Sequence, residues 1–351
     1  MKIERRKFLV GSALGAAALA TPAIHVRAAT RKITMGGYFD MVDPIKKHWI
    51  EPFQKKFGAQ VFYDPGNSIH QVGKMRAEKA NPAHSVMLMD ESFVPLAQKE
   101  DLIIPLNRTL LPVLEDIDPR FVVGDDHAVG IAMHLDSLAY HTRLKEPTSW
   151  EAMWDPAMRQ KVAMASIQHN DWYNTYVIAA HLKSGRPISE AHLEVEAGFE
   201  KLKELKPNLL TTFTNAANAV SMVEQDEVML IGAITSKNVF PFIERGVPIR
   251  MTKPKEGSFA LLNCATIVKG GPEPELSAQF LNFGLSPEVQ TALAENAASG
   301  PVNKKAVLPE KLKGIIPSTP AEFDAIHKAN WAFFLEHRAE WTDRWNKLMA
   351  G

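Results

Sequence analysis

The feature that most restricts this chain is an alternation of strand and helix that begins at Ile33. Ile33-Thr34-Met35 reads as a short buried strand ending in Gly36-Gly37, where the missing Cβ atoms let the backbone turn. An amphipathic helix follows from about Pro44 to Phe57, with Ile45, Trp49, Phe53 and Phe57 spaced by four. Ala59 to Tyr63 is the next strand and Ile69 to Ala80 the next helix. Ser85 to Met89 is a third strand, with Phe93 to Lys99 helical behind it. Repeated units of this length require right-handed crossovers and a mostly parallel sheet.

The pattern changes near 128–142, where Ala128 to Leu135 and Leu138 to His141 are two extended runs separated by Asp136-Ser137. A second α/β region opens at Thr148-Ser149-Trp150-Glu151, read as a capping box of Thr148 and Glu151. It continues through a strand near Val162-Ala163-Met164, helices near 172–183 and 190–205, and a strand at Val228 to Ile231. Phe259 to Val268 is extended again. Ser286-Pro287-Glu288 and Thr319-Pro320 each start a helix, and the last helix runs from about Asn330 to Met349. The geometry is two α/β lobes joined by extended segments near 135–138 and 259–264. Lobe 1 takes 30–135 plus 264–308, and lobe 2 takes 139–260 plus 320–350. Such a body has a cleft between its lobes, where small ligands bind and hinge closure reports occupancy.

Composition narrows the class. The chain of 351 residues is long enough for two hydrophobic cores, and 46% hydrophobic with 23% charged residues is ordinary globular composition. Forty basic and forty acidic side chains cancel, and no dense Lys/Arg cluster marks a nucleic-acid surface. Cys264 is the one cysteine, so neither an internal disulfide nor a cysteine metal site is available; a buried thiol is expected. The histidines form no His-x-x-x-His pair, and neither a Gly-x-Ser-x-Gly elbow nor a Gly-x-x-x-x-Gly-Lys loop is present. No enzyme, metal or cofactor is therefore expected.

The N-terminus reads as an export signal. Lys2, Arg5, Arg6 and Lys7 form a basic head, Phe8 to Ala20 an apolar run, and Val26-Arg27-Ala28 a cleavage site. Arg5-Arg6-Lys7-Phe8-Leu9 is similar to the twin-arginine export motif, so residues 1–28 are expected to be removed on the way to the periplasm. The remaining chain keeps 35 basic and 39 acidic residues, a net charge of −4. No later stretch is apolar over the ~18 residues that a membrane span needs.

Five stretches carry a resemblance. They are Asp136-Ser137-Leu138-Ala139-Tyr140-His141-Thr142, the run from Pro147 through Trp150 to Pro156, Lys253-Pro254-Lys255-Glu256-Gly257, the run from Asn282 to Gln290, and Pro301-Val302-Asn303. In order and spacing the chain resembles the spermidine/putrescine-type family of periplasmic binding proteins over essentially its whole mature length. The resemblance implies a type II periplasmic binding protein fold, α/β, two-lobed, with a two-stranded hinge and last helices that return to lobe 2. It also implies a monomer that captures a small solute for an ABC importer and docks on that importer's membrane permease, with no nucleic acid involved. Carried over by position, the family's carboxylate after Pro-Lys-Glu-Gly falls at Asn263, its neighbouring Trp at Leu261, a cleft Trp at Thr235 and a Tyr at Ser299. An iron binder of this fold uses paired tyrosines in its second half; here the last tyrosine is Tyr176.

The candidate site residues follow from strand ends, where ligands sit in open α/β sheets. Tyr38 and Asp40 follow the first strand, Asn67 and Ser68 the second, and Asp90 and Glu91 the third. Ser137 lies on the hinge. Asp171-Trp172 opens a lobe 2 helix as a carboxylate-plus-ring pair suited to an amine. Thr235, Asn263 and Trp331 complete the set implied by the resemblance. Lys237, at a helix start, offers the alternative of a small carboxylate or phosphonate. Asp40, Asn67, Ser68, Asp90, Glu91 and Asp171 have a second reading as helix caps.

Overall fold

The computed structural model describes residues 31–317 and 319–350, so the expected export signal lies outside the described residues. Twelve described strands join in one mixed sheet. In chain order they are β1 (Lys32–Tyr38), β2 (Gln60–Gly66), β3 (Val86–Asp90), β4 (Ile103–Ile104), β5 (Val122–Val123), β6 (Ala128–His141), β7 (Val162–Ala165), β8 (Leu209–Phe213), β9 (Leu230–Thr235), β10 (Ile249–Met251), β11 (Ser258–Val268) and β12 (Ile326–His327). The main path is β2-β1-β3-β11-β6-β9-β7-β8. Each end is a parallel trio, β2-β1-β3 and β9-β7-β8, with helices as crossovers. The middle is a pair of long antiparallel strands, β6 and β11.

Two hydrophobic cores share that middle pair. Along β6, Ala128 to Leu135 feed the first core and Leu138 to Tyr140 the second. On β11 the pleat divides the side chains, because successive residues point to opposite faces. Ala260 and Leu262 enter the first core, Phe259 and Leu261 the second. The first core closes around Trp49, which stacks on Phe280 at 4.8 Å and donates Nε1–H to its carbonyl at 3.0 Å. Gly284 is required there, since a Cβ would lie 1.9 Å from the indole.

The second core is built on the helix Asp171–Ser184, which is buried from Asp171 through Ala180 and so has no solvent face in its first turns. Trp172, Tyr173 and Tyr176 meet Phe199, Phe334, Trp341 and Trp345 in a continuous aromatic cluster. The final helix, Trp331–Ala350, brings the last three and also packs on the helix Val94–Lys99 beside the first core.

Several sequence expectations change. The first strand does not turn at Gly36-Gly37 but runs on to Tyr38. Those glycines instead admit Met87 and Tyr63, which would lie 2.2 and 2.4 Å from a Cβ at Gly36 and Gly37. Asp136-Ser137 does not interrupt a strand; β6 is continuous, with its register shifting against β9 between Ser137 and Ala139. The cap at the start of lobe 2 is Ser149, whose hydroxyl accepts from Glu151 N–H and donates to Glu256, rather than a Thr148–Glu151 box. The region 190–205 is two helices, Ile188–Ala191 and Val195–Leu205. At Thr319 the cap forms as expected, as a full box with Glu322.

Candidate functional site

The carboxyl ends of β1, β2 and β3 face those of β7 and β9 across a cavity of about 700 Å3. Parallel strands dictate this, since each strand–helix unit starts its turn on the same edge of the sheet. Of the expected residues, Tyr38, Asp40, Asn67, Ser68, Asp90, Asp171, Thr235 and Lys237 line it.

On the first-core wall most polar groups already hold one another. Asn67 Oδ1 accepts from His70 N–H at 3.0 Å and caps the helix Ser68–Ala77. Ser68 Oγ accepts from Asp90 N–H at 3.0 Å. Asp90 Oδ1 accepts from Asn263 Nδ2 at 2.8 Å, and Asn263 Oδ1 lies 3.0 Å from His134 Nε2. Burial, helped by the nearby Lys237 charge, pushes His134 down to about 3, so the imidazole is neutral and Nε2–H donates to Asn263. Tyr38 is buried beside Asp90; burial first, then the Asp90 charge, raises its hydroxyl well above the usual tyrosine range. Asp40 is exposed, with Lys237 Nζ at 3.8 Å from its Oδ2.

The second-core wall differs. Asp171, only 1% exposed, accepts from Thr235 Oγ1 at 3.2 Å through Oδ1, while its buried Oδ2 has no hydrogen-bond partner. His169 Nδ1 stands 3.4 Å from Asp171 Oδ1. Burial pulls this imidazole down, but the Asp171 charge and contact carry it above its ordinary value. Behind Asp171, on β6, lies a second buried carboxylate, Asp136, hydrogen-bonded by Asn174 Nδ2 through Oδ2 and unpartnered at Oδ1. Burial, then the adjacent Asp171 charge, raises Asp136 well above the usual carboxylate value, which favours its protonated form. Asn170 Nδ2 donates to Ser92 Oγ at 3.0 Å, a direct bond between the two walls.

Five expected site residues fall elsewhere. Trp172 is fully buried and Trp331 is 3% exposed, both inside the aromatic core, so neither ring faces the cavity. Trp172 instead packs against Phe334 and Trp345 while its neighbour Asp171 lines the cavity. Ser137 is buried, donating to the Thr252 carbonyl at 2.8 Å and contacting Ser258 Oγ at 2.8 Å, so it ties strands together. Glu91 turns away from the cavity into burial near Lys328, and burial lifts its carboxyl to about 7. Asn263 stands behind Asp90 and lines a smaller hollow of about 270 Å3 with His134, Glu244 and Glu295. Cys264 is buried, as expected of a lone thiol.

Sequence reasoning missed His169, Asn170 and Arg338, which also line the cavity. The first two had a signal, the strand end at Ala165 with a helix opening at Asp171. Arg338 had one as well: it falls four residues after Phe334 and three before Trp341, on the stripe of the last helix that carries the core residues, so its spacing places it on the inward face. Among the described residues no cluster of His, Cys, Asp or Glu could hold a metal ion.

With this geometry in view, the comparisons with known proteins are informative. Residues 48–321 match the family model described as bacterial extracellular solute-binding protein. The spermidine/putrescine-binding periplasmic protein of Salmonella typhimurium is 23% identical over 354 residues, covering 97% of both chains. The gamma-aminobutyric acid-binding protein of Pseudomonas aeruginosa is 27% identical over 246 residues, covering 66% of this chain and 68% of that one. An ABC transporter crystal structure from Clostridium perfringens superposes with a TM-score of 0.81 at 21% identity, over 90% of this chain and 99% of that one. These neighbours have the type II periplasmic binding fold, and the two-core body with a cleft is the same architecture. The chain belongs to the bacterial extracellular solute-binding proteins.

Proposed function

We propose that this protein is the extracytoplasmic component of an ABC importer and that it captures a small amine-bearing solute in the cavity between its lobes. The observation that carries the reading is Asp171: a buried carboxylate oxygen without a partner, on the wall of a 700 Å3 cavity. A buried carboxylate matched on one oxygen only, by Thr235 and His169, leaves its other oxygen for a ligand ammonium. Asp90 and the Tyr38 ring, on the opposite wall, suit the same cation. The names of the relatives, binders of polyamines and of gamma-aminobutyrate, support this class. A lone anion held by Lys237 is the weaker reading, because Asp40 already stands close to that ammonium.

Residues near 135–138 and 259–264 are the hinge in this reading, since β6 and β11 each serve both cores there. Bending them brings Asp90 and Asp171 onto one ligand, and the closed form is what a membrane permease would recognise. Residues 1–28 are the export signal, and the mature chain is a periplasmic monomer that binds its solute without chemistry. Among the described residues no helix is long and apolar enough to cross a membrane.

A thermal-shift panel on residues 29–351, stripped of ligand by unfolding and refolding, tests the reading. At about 100 times its dissociation constant a ligand adds roughly 2.7 kcal/mol, a shift of a few degrees for a chain of this size. Amines should raise the midpoint, and Asp171→Asn should abolish the rise. A rise from simple anions only, unchanged in Asp171→Asn, would overturn it.

A further inference from the structure

We infer that the solute is a zwitterion, an amino acid-like molecule with an ammonium at one end and an acidic group at the other, and that Arg338 is the residue that selects the acidic end. This rests on the amine reading above and adds the ligand's other half. Three cationic side chains with fixed or strong positive charge reach the cavity: Arg76, Lys237 and Arg338. Arg76 is clamped by both oxygens of Glu100. Lys237 stands 3.8 Å from Asp40 and 6.0 Å over the Tyr38 ring. Arg338 alone among these has no carboxylate within ion-pairing distance among the described residues. Its one hydrogen bond goes from Nη2 to the Gln168 carbonyl at 3.3 Å, and its guanidinium lies 5.6 Å over the Phe334 ring.

Arg338 is also half-buried, and that burial draws its proton affinity below the usual arginine value. A half-buried guanidinium held by one neutral carbonyl and a ring face leaves most of its five donors open, in a fork that matches a carboxylate or phosphonate. The cavity therefore contains two incompletely matched groups of opposite sign, Arg338 and Asp171, whose Oδ1 meets Thr235 and His169 while Oδ2 has no partner. Both belong to the same wall, since Arg338 bonds to Gln168 three residues before Asp171. A diamine leaves Arg338 facing like charge, and a dicarboxylate leaves Asp171 doing so. A zwitterion satisfies both, with its ammonium at Asp171 and its acid at Arg338.

The test is titration calorimetry on the stripped mature chain with three matched series: diamines, ω-amino acids and dicarboxylates over a ladder of chain lengths that starts at glycine. At one length the amino acid should bind more tightly than the diamine and the dicarboxylate of that length. Arg338→Gln should weaken that amino acid by about a hundredfold and leave the diamine unchanged or improved. Arg338→Lys should recover part of the loss, since a point charge replaces the fork. Thermal midpoints and tryptophan emission of both variants should match the wild type, which separates lost recognition from lost folding. Diamines bound as tightly as any amino acid, with Arg338→Gln without effect, would overturn the zwitterion while leaving the amine reading intact. Dicarboxylates bound alone, indifferent to Asp171→Asn, or no binding in any series, would overturn both.

Discussion

The two walls of the cavity use the same kinds of side chain in opposite ways. On the first-core wall, Asn67, Ser68, Asp90, Asn263 and His134 bond to one another or to backbone, so the polar groups of that wall mainly hold the fold. On the second-core wall, Asp171 and Arg338 present groups that the protein leaves unmatched. The contrast separates scaffold from recognition: a satisfied polar group has little left to offer a ligand, whereas an unsatisfied one is destabilising until a ligand arrives. In the proposed reading, selectivity lies on the lobe that carries the aromatic core.

That contrast can be broken or sharpened by substitution. The largest effect should come from Trp172→Ala, which empties the centre of the aromatic cluster and should cost about 3–5 kcal/mol in urea unfolding. A loss of ligand affinity with unchanged stability would instead return this ring to the cavity. Next is Asp171→Asn, expected to weaken an amine ligand by about a hundredfold, roughly 2.7 kcal/mol. The same change should raise the thermal midpoint of the empty protein, because it removes a buried charge beside Asp136. Asp90→Asn should lower that midpoint, since Asp90 is part of a bonded network. Equal behaviour of the two variants in the empty protein would erase the distinction between the walls.

A smaller effect concerns pH. Glu91 titrates at about 7 in the folded chain, above its unfolded value of 4.5. The folded state thus binds the proton more tightly, so this stability is present below pH ~4.5 and is lost as pH rises through about 7. Glu91→Gln should flatten that part of the stability–pH curve, by about 2 kcal/mol between pH 5 and 8. The smallest effect is expected for Asn170→Ala, which removes the bond to Ser92 across the cavity. A loss of about 0.5–1.5 kcal/mol, seen as a several-fold faster ligand off-rate, would mark that bond as a closure contact.

Much of the fold was legible in the sequence. The βα units, the long extended segments at 128–141 and 258–268 and the aromatic final helix all follow from periodicity and caps. What failed did so for physical reasons. Gly36-Gly37 suggested a turn, yet the glycines answer to Met87 and Tyr63, neighbours that only the tertiary structure supplies. Trp172 looked like a ligand platform because an aromatic beside a carboxylate suggests a cation box, and Trp331 because the resemblance implied a ring there. Trp172 is buried because the fold encloses the first turns of its helix, and Trp331 because it packs into the same aromatic cluster from the final helix. The strand-end residues Tyr38, Asp90 and Asp171 do reach the cavity, because the carboxyl edge of a parallel sheet is fixed by topology. Asp136 was illegible, since a carboxylate inside a strand carries no local mark of burial, whereas the spacing of Arg338 to Phe334 and Trp341 marks its inward face and leaves only its role unmarked.

The division of β6 and β11 between two cores also sets an order of completion during synthesis. The first core takes residues from Ile33 to Leu135 and again from Ala260 to Ile316. The second takes Leu138 to Leu261 and again Trp331 to Trp345. At roughly 5–20 residues per second, the early half of the first lobe waits many seconds for its closing strand and helices to leave the ribosome. Neither lobe is one continuous segment: the first is complete only once Ile316 is made, and the second only after the final helix. The chain is therefore expected to fold late and nearly all at once, with the C-terminal helix as the piece that commits it.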